Sequence, residues 1–417
     1  MNTNTWSAQD GIRYGLLGLP LAFVALPLYV ILPNHYAREF GVPLATLGSI
    51  LLAARLFDAL VDPWLGRVCD RLFARSATAI LRAAACAAVV LAFGFTALFF
   101  PTVRGNALVP WALAALSVTY LAYSLLSVAH QSWGARLGGD ELQRGQIVSW
   151  REGLGLVGVL LASVLPVVAG LQASVAVLCA GLAVGMWAWS RARRPVAHSA
   201  SGHVAVSVWL PFSRPGFRSL LALFMVNGIA SAIPATLVLF FIQDRLQAPK
   251  NLEGAFLGTY FLAAAVSMPL WLRCVARWGL WRVWLTGMLL AVAVFIFAAS
   301  LGAGDITGFL LVCALSGVAL GADLAAPSAL LTGLIAKSGD QGTNEGAYFG
   351  WWNFATKLNL ALAAGLSLPL LEQFGYSPGV RSADGLQALV LAYCVLPCAL
   401  KLVAACALFI CARGQKF

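Results

Sequence analysis

The sequence predicts an all-α polytopic membrane protein with twelve transmembrane helices in two pseudo-symmetric six-helix bundles. Three observations lead to this fold class. The chain of 417 residues is 61% hydrophobic and only 10% charged, whereas soluble proteins carry about 25% charged residues. Apolar stretches of about 20 residues, each long enough to cross a bilayer, recur along the whole chain. One long polar segment divides the chain near its middle.

The apolar stretches place the twelve helices in order. We expect six helices within residues 1–190 and six within residues 217–417. A cytoplasmic linker at 191–216, rich in Arg, Pro, Ser, His and Gly, separates the two bundles. The predicted spans are 13–34, 44–69, 77–100, 108–134, 148–170, 172–190, 217–242, 252–274, 279–301, 306–335, 345–371 and 386–412.

A short internal repeat supports the division into two bundles. The same residue types recur at one constant offset near the end of an early span in each half. Pro63, Arg67 and Arg71 match Pro269, Arg273 and Arg277. Parallel six-helix repeats are typical of one group of membrane transporters. The signal is short, but it falls where two such repeats predict it.

The distribution of charge predicts orientation and excludes nucleic acid as a partner. The net charge is +11, yet most Lys and Arg residues lie in the loops of one side, which by the positive-inside rule is the cytoplasm. We therefore expect both termini in the cytoplasm. We also expect the protein in a bacterial inner (plasma) membrane. The nine cysteines are scattered in apolar segments without metal-ligand spacing. We expect no cofactor and a monomer.

Three ionisable residues lie inside the second apolar span. At about 100° per residue, Arg55, Asp58 and Asp62 fall within about 60° of one helix face. Ionisable side chains at membrane depth are costly and therefore mark function. Two carboxylates one turn apart can hold a proton or a small cation, Na⁺ included. Neither acid recurs in the second half, where Ala264 and Met268 take the corresponding positions.

The loop after this span carries a motif for gating. Gly66, Asp70 and Arg71 resemble the signature between helices two and three of the major facilitator superfamily. An Asp at a loop corner can bind helix N-terminal amides or arginines in one state and release them in another. Ordinary solvated loop charges remain the alternative interpretation.

The combined pattern resembles the glycoside–pentoside–hexuronide:cation symporters of the major facilitator superfamily. The resemblance rests on Tyr14-Gly15, on Arg55-x-x-Asp58-x-x-x-Asp62-Pro63, on Gln146 to Arg151, on Gly321 to Pro327 and on Gly346 to Asn353. It implies the major facilitator fold and symport by alternating access. It also assigns roles, in which Asp58 and Asp62 bind the cation with the Ser124 hydroxyl, Arg55 and Lys357 are charge partners, and Arg151 contacts the sugar.

Three departures from the family pattern bear on specificity. Val61 stands where an asparagine separates the two acids in the family's melibiose permease, and this removes one oxygen ligand. Because Na⁺ needs several oxygen ligands and a proton needs one carboxylate, the sequence favours H⁺ over Na⁺. The permease's two sugar-binding aspartates fall on Ala22 and Ser127, which weakens the case for a galactoside and favours an anionic or amphipathic solute.

Further polar residues within spans are candidates for the substrate cavity. For some of them another interpretation stays open. His130 can be a packed side chain, Asp323 can satisfy backbone groups freed by the nearby Gly and Pro, and Lys401 is expected to snorkel or to line a crevice. Together with Arg151, the candidates are His130, Gln131, Trp133, Asn227, Asp323, Trp352 and Asn353.

We predict a secondary active transporter that couples a cation to a small polar solute, such as a glycoside or sugar acid. The expected partners are this solute and membrane lipid. A lipid, lysolipid or amphipath carrier (a flippase or exporter) of the same fold is the alternative. A third class, an Asp-rich membrane transferase, needs several acids at one membrane face. Position 74 is Ala, so the CDP-alcohol transferase pattern fails and we expect no enzyme.

Overall fold

The computed structural model describes residues 6–195, 207–376, 379 and 382–414. Within these ranges the regular structure is helical, without a β-strand. Each of the twelve predicted spans corresponds to a helix, as we expected. The helices are α1 (8–40), α2 (Leu44–Arg75), α3 (Ala77–Phe99), α4 (Leu108–Arg136), α5 (Glu141–Val168), α6 (Gly170–Ser190), α7 (Pro215–Arg245), α8 (Glu253–Trp278), α9 (Leu280–Ser300), α10 (Ile306–Lys337), α11 (Glu345–Gln373) and α12 (Ala383–Arg413).

Local capping explains where the observed helices exceed the predicted spans. Helix α5 begins at Glu141 instead of residue 148, because the Asp140 side chain accepts a hydrogen bond from the Gln143 amide at 2.8 Å. Helix α2 continues to Arg75 instead of residue 69. There the extended backbone of Ser76 ends it, and the Ser76 side chain caps α3. These helices therefore extend beyond their apolar segments and end or begin at polar capping residues.

Helix α1 is not continuous. It consists of the α-helical stretches Ala8–Gly15, Gly18–Leu26 and Leu32–Phe40, with a π-helical turn at Pro27–Ile31. Pro27 lacks an amide hydrogen, and irregular turns of this kind are frequent at functional sites. The helix ends at Gly41, whose φ of 64° is favourable for glycine.

The chain divides into two compact units. The first comprises Met1–Ser213 together with Ile335–Phe354, and the second comprises Arg214–Leu334 together with Ala355–Phe417. The boundary after Ser213 falls inside the predicted linker, whose residues 196–206 lie outside the described residues. The start of α11 therefore groups with the first unit. The domain boundaries that the sequence predicts stay a prediction.

Glycines bring α1 and α5 together in the first unit. A Cβ atom on Gly158 would lie 2.1 Å from the Leu19 carbonyl oxygen, and one on Gly18 would lie 2.5 Å from the Arg151 carbonyl oxygen. Side chains at these positions would push the two backbones apart. This close approach holds Arg151 of α5 beside the first turns of α1.

An aromatic cluster lies in the core of the second unit. The rings of Phe241 on α7 and Tyr393 on α12 stack with centroids 4.3 Å apart. Phe309 of α10 and Phe256 of α8 extend the cluster, with their own centroids 5.0 Å apart. Such packing fixes four helices of this unit around one apolar centre.

Nine helices in the described ranges are long and apolar enough to cross a membrane by length and composition. Helices α1, α2 and α11 complete the twelve. Two of these, α2 and α11, carry the ionisable residues Arg55, Asp58, Asp62 and Lys357. The two helices that carry the ionisable residues of the predicted cation site are thus among the three that lie outside the nine.

Candidate functional site

The first unit contains two buried acids on α2. Asp58 and Asp62 are 2% and 0% exposed. The Ser124 hydroxyl of α4, itself buried, donates a hydrogen bond to Asp58 Oδ1 at 2.5 Å. The structure therefore brings Ser124 to Asp58, as the resemblance implied. A short hydrogen bond to a carboxylate is among the stronger ones that proteins make.

The start of α11 crosses α2 beside these acids. A Cβ atom on Gly350 would lie 2.6 Å from the Asp62 carbonyl oxygen and 2.9 Å from Pro63 Cα. Trp352 is buried and Asn353 is half-buried in the same segment of the first unit. Gly350 is thus required for this contact, and two predicted cavity residues follow it by two and three positions.

The two predicted charge partners lie in different units. Arg55 is exposed on α2 of the first unit, and Lys357 is half-buried on the part of α11 that belongs to the second unit. Each of the two makes at least one hydrogen bond, ion pair, ring contact or electrostatic interaction. Their role as charge partners of the acids stays a prediction.

Asp70 binds both kinds of partner that the gating hypothesis named. Its buried carboxylate accepts hydrogen bonds from the amides of Gly346 at 2.7 Å and Ala347 at 2.9 Å, in the first turn of α11. It also accepts hydrogen bonds from Arg136 at 2.9 Å and Arg67 at 3.2 Å. A carboxylate at a helix N-terminus is favoured by the helix dipole. The release of these partners in another state stays a prediction.

The other two residues of the motif behave differently. A Cβ atom on Gly66 would lie 2.0 Å from the Gly346 carbonyl oxygen, so glycine at position 66 lets α2 and α11 touch. Arg71 is exposed. Arg67, which the sequence marks only as part of the internal repeat, is the arginine of α2 that contacts Asp70.

Sequence reasoning missed Arg136 and Glu345 in this network. Arg136 of α4 lies 3.0 Å from the buried carboxylate of Glu345, the first residue of α11, and also donates to the Gly342 carbonyl. Nothing in a single sequence pairs two charges so far apart along the chain. The available signal was an arginine ending one apolar span and a glutamate opening another.

Arg151 lies in the first unit beside its neighbour on α5. Glu152 Oε1 accepts from Arg151 Nε at 3.0 Å and from a terminal nitrogen at 2.5 Å. The Tyr14 hydroxyl donates to the His130 carbonyl at 2.9 Å, and His130 Nε2 lies 2.8 Å from the Tyr14 carbonyl. Glu152 was not singled out from the sequence, because an acid next to an arginine forms no motif.

Burial favours a packing role for two predicted cavity residues. His130 and Trp133 are fully buried. Trp133 donates to the Arg193 carbonyl at 3.0 Å and packs its ring against Trp189. Gln131 between them is half-buried. For His130, packing was the alternative interpretation, and its burial supports that alternative. Cavity lining by His130, Gln131 and Trp133 stays a prediction.

A second ionic cluster lies in the second unit. Lys401 of α12 donates to Asp323 Oδ2 of α10 at 2.6 Å and to the Asn227 carbonyl oxygen of α7 at 2.9 Å. Trp284 of α9 and the Asn227 amide donate to Asp323 Oδ1 at 2.9 and 3.3 Å. Lys401 does not snorkel, because the residue is buried and paired, and its lining of a crevice stays a prediction. Asp323 binds these side chains, which does not fit a role in satisfying freed backbone groups.

Comparison with known proteins places these features in one family. The family described as MFS/sugar transport protein matches residues 13–411. A candidate sulfoquinovose importer of Escherichia coli is 25% identical over 95% of this chain and 89% of its own length. The inner membrane symporter YicJ of Escherichia coli is 26% identical, over 40% of this chain and 36% of its own length.

Solved structures share the fold. A bacterial homologue of the iron transporter ferroportin, in an outward-facing state, superposes with a TM-score of 0.73 and 16% identity over 97% of this chain and 99% of that one. The Escherichia coli fucose:proton symporter gives a TM-score of 0.67 and 15% identity over 94% and 98%. These structures confirm the major facilitator fold.

The family match and the relatives also confirm the resemblance to the glycoside–pentoside–hexuronide:cation symporters. The family match and the named relatives are transporters, so the chain is a transporter rather than an enzyme. The chain therefore belongs to the MFS/sugar transport protein family, as an integral membrane secondary transporter of sugar-like solutes.

Proposed function

We propose that this protein is a proton-coupled symporter of a small, polar, anionic sugar such as a sugar acid. It works by alternating access in a bacterial inner membrane, with both termini in the cytoplasm, as a monomer without a cofactor. The observation that carries the proposal is the buried pair Asp58 and Asp62 on α2, with Ser124 hydrogen-bonded to Asp58. Cation binding at two neighbouring carboxylates relieves their mutual repulsion, and this relief couples the ion to the conformational change.

The surroundings of the acid pair favour a proton over Na⁺. The residue between the acids is the half-buried Val61, which offers no side-chain oxygen. The Ser124 hydroxyl directs its hydrogen at Asp58, so that binding a metal ion there requires the hydroxyl to rotate. A hard cation needs several oxygen ligands at once, whereas a proton needs one carboxylate.

Three observations support an anionic solute. Arg151 provides a buried guanidinium in the first unit, and guanidinium groups bind carboxylates and sulfonate-like anions well. A relative that matches nearly the whole chain is named for a sulfonated sugar. Ala22 and Ser127 stand where the family pattern has acids, so this unit carries less negative charge to repel an anion.

Uptake by purified protein in liposomes tests the proposal. The panel contains ¹⁴C-labelled D-glucuronate, sulfoquinovose, D-glucose, a methyl galactoside and a lysophosphatidylcholine, each measured with an inward pH gradient, an inward Na⁺ gradient, or neither. We expect the pH gradient alone to drive accumulation of an anionic sugar. Strict Na⁺ dependence at fixed pH contradicts proton coupling, and movement of the lysolipid alone contradicts the solute class.

A further inference from the structure

The Tyr14 side chain of α1 connects Arg151 of α5 to α4. Tyr14 is fully buried, and its hydroxyl donates a hydrogen bond to the His130 carbonyl at 2.9 Å. The same hydroxyl accepts a hydrogen bond from the Arg151 side chain. A guanidinium can only donate and a carbonyl can only accept, so the direction of both hydrogen bonds is fixed. The hydroxyl therefore links the guanidinium to the backbone of another helix.

Contacts from α4 and α5 hold Tyr14 in place. His130 Nε2 lies 2.8 Å from the Tyr14 carbonyl oxygen, and the centroids of the two rings are 4.4 Å apart. A Cβ atom on Gly134, one turn after His130, would lie 2.2 Å from the Tyr14 hydroxyl oxygen. A Cβ atom on Gly15 would lie 2.7 Å from the Trp150 carbonyl oxygen. Both the backbone and the hydroxyl of Tyr14 are thus fixed against these two helices.

The other partner of Arg151 holds the guanidinium less completely. Glu152 accepts its two hydrogen bonds from Arg151 on one oxygen atom, and its side chain is 28% exposed. Ordering a long arginine side chain costs conformational entropy. Contact with a single oxygen lets the guanidinium rotate about that atom, and a contact from a different helix prevents this rotation. Tyr14 supplies that second contact.

From this arrangement we infer that Tyr14 is a positioning residue, which fixes the plane of the Arg151 guanidinium for an anionic sugar. Recognition of a carboxylate or sulfonate by two parallel hydrogen bonds requires the guanidinium plane to match the anion. The Arg151 side chain is 9% exposed, whereas Tyr14 is fully buried. The solute therefore meets Arg151, and Tyr14 acts through it. The inference rests on the proposed function and adds a residue that sets the affinity for the anion.

The test is counterflow exchange of ¹⁴C-D-glucuronate and sulfoquinovose in liposomes at equal pH on both sides, which gives KM and the maximal rate. Tyr14→Phe removes the hydroxyl and keeps the ring. We expect KM to rise about tenfold, as for the loss of one hydrogen bond to a charged group. The maximal rate should stay within about twofold of wild type, because the guanidinium contributes to binding in all states alike.

Tyr36→Phe is the matched control. Tyr36 is also buried on α1, and its hydroxyl donates to the Leu98 carbonyl of α3 at 2.8 Å. Both substitutions remove a hydroxyl that donates to a backbone carbonyl, so the two proteins should lose similar thermal stability. Tyr36→Phe should keep the wild-type KM, which separates positioning of Arg151 from a structural role.

Gly134→Ala tests the same contact without altering Tyr14. Its methyl group would lie where the Tyr14 hydroxyl now is, so the hydroxyl must move and KM should rise. Gly153→Ala is its control, because a Cβ atom there meets open space among the described residues.

An unchanged KM in either folded variant, Tyr14→Phe or Gly134→Ala, overturns the inference while leaving the proposed function intact. A wild-type protein that exchanges neither anion overturns the proposed function and this inference together.

Discussion

Two buried acidic sites, one in each unit, are held in opposite ways. In the second unit a single carboxylate, Asp323, is matched by the ammonium of Lys401 and closed in by Asn227 and Trp284 from two further helices. In the first unit two carboxylates stand one turn apart on the same helix, with a hydroxyl bonded to one of them. Asp323 is therefore balanced in charge by Lys401, whereas the pair on α2 is the site that we propose to bind the coupling proton. The comparison separates a buried ion pair that braces helices from an acid pair that, in the function we propose, binds the coupling ion.

The largest expected effect lies in the second unit. Lys401→Met leaves Asp323 buried without its cation, and breaking a buried ion pair from one side costs about 3–5 kcal/mol. We expect a large drop in the thermal unfolding temperature of the detergent-solubilised protein. Lys337→Met, at an exposed lysine ending α10, should change little.

A double variant sharpens this prediction. Replacing both partners, as in Asp323→Leu with Lys401→Met, removes the uncompensated charge and should recover much of the lost stability. A Lys401→Met protein that unfolds at the wild-type temperature would show that the pair does not brace the second unit.

The next effect concerns Asp70 in the first unit. Asp70→Asn keeps the size of the side chain but removes the charge that four donors share, from Arg67, Arg136 and two amides of α11. Hydrogen bonds to charged groups contribute about 1.5–3 kcal/mol, and we expect a loss in this range by chemical or thermal unfolding. Asp140→Asn is the control, since asparagine caps a helix as well as aspartate does.

These contacts show which parts of the structure could be predicted from the sequence. Hydropathy and spacing predicted the apolar spans. The family resemblance predicted that Asp70 binds arginines or helix amides and that Ser124 lies near Asp58. The pairs Arg136–Glu345 and Lys401–Asp323 could not be predicted, because each joins helices far apart in the chain. A single sequence shows which face of a helix is polar. It does not show which other helix that face meets.

A smaller effect is expected at Tyr376 in the second unit. Its hydroxyl donates to Asp244 at 2.5 Å, and burial together with this acceptor raises the pKa of Tyr376. Tyr376→Phe should cost about 0.5–1.5 kcal/mol. Since the pKa is raised on folding, this contribution is fully present below about pH 10 and is lost as the pH rises further. Unfolding at pH 7 and above pH 10 checks the sign, because an equal or larger difference between the two proteins above pH 10 would contradict it.

The acid pair tests the comparison most directly. Asp58→Asn and Asp62→Asn each remove one carboxylate while keeping side-chain size, so we expect both variants to fold and to enter the membrane. Coupled transport should be lost in both. Substitution of Asp58 or Asp62 would then remove coupled transport, whereas substitution of Lys401 lowers stability.

The decisive measurement follows proton entry and solute entry in the same liposomes, with an internal pH dye and ¹⁴C-D-glucuronate or sulfoquinovose, for the wild type and these two variants. In the wild type the account predicts proton uptake that accompanies the solute and accumulation driven by the pH gradient. In the variants it predicts neither, although solute exchange without a gradient persists. Full gradient-driven accumulation by both Asp58→Asn and Asp62→Asn would contradict the assignment of the cation site to α2.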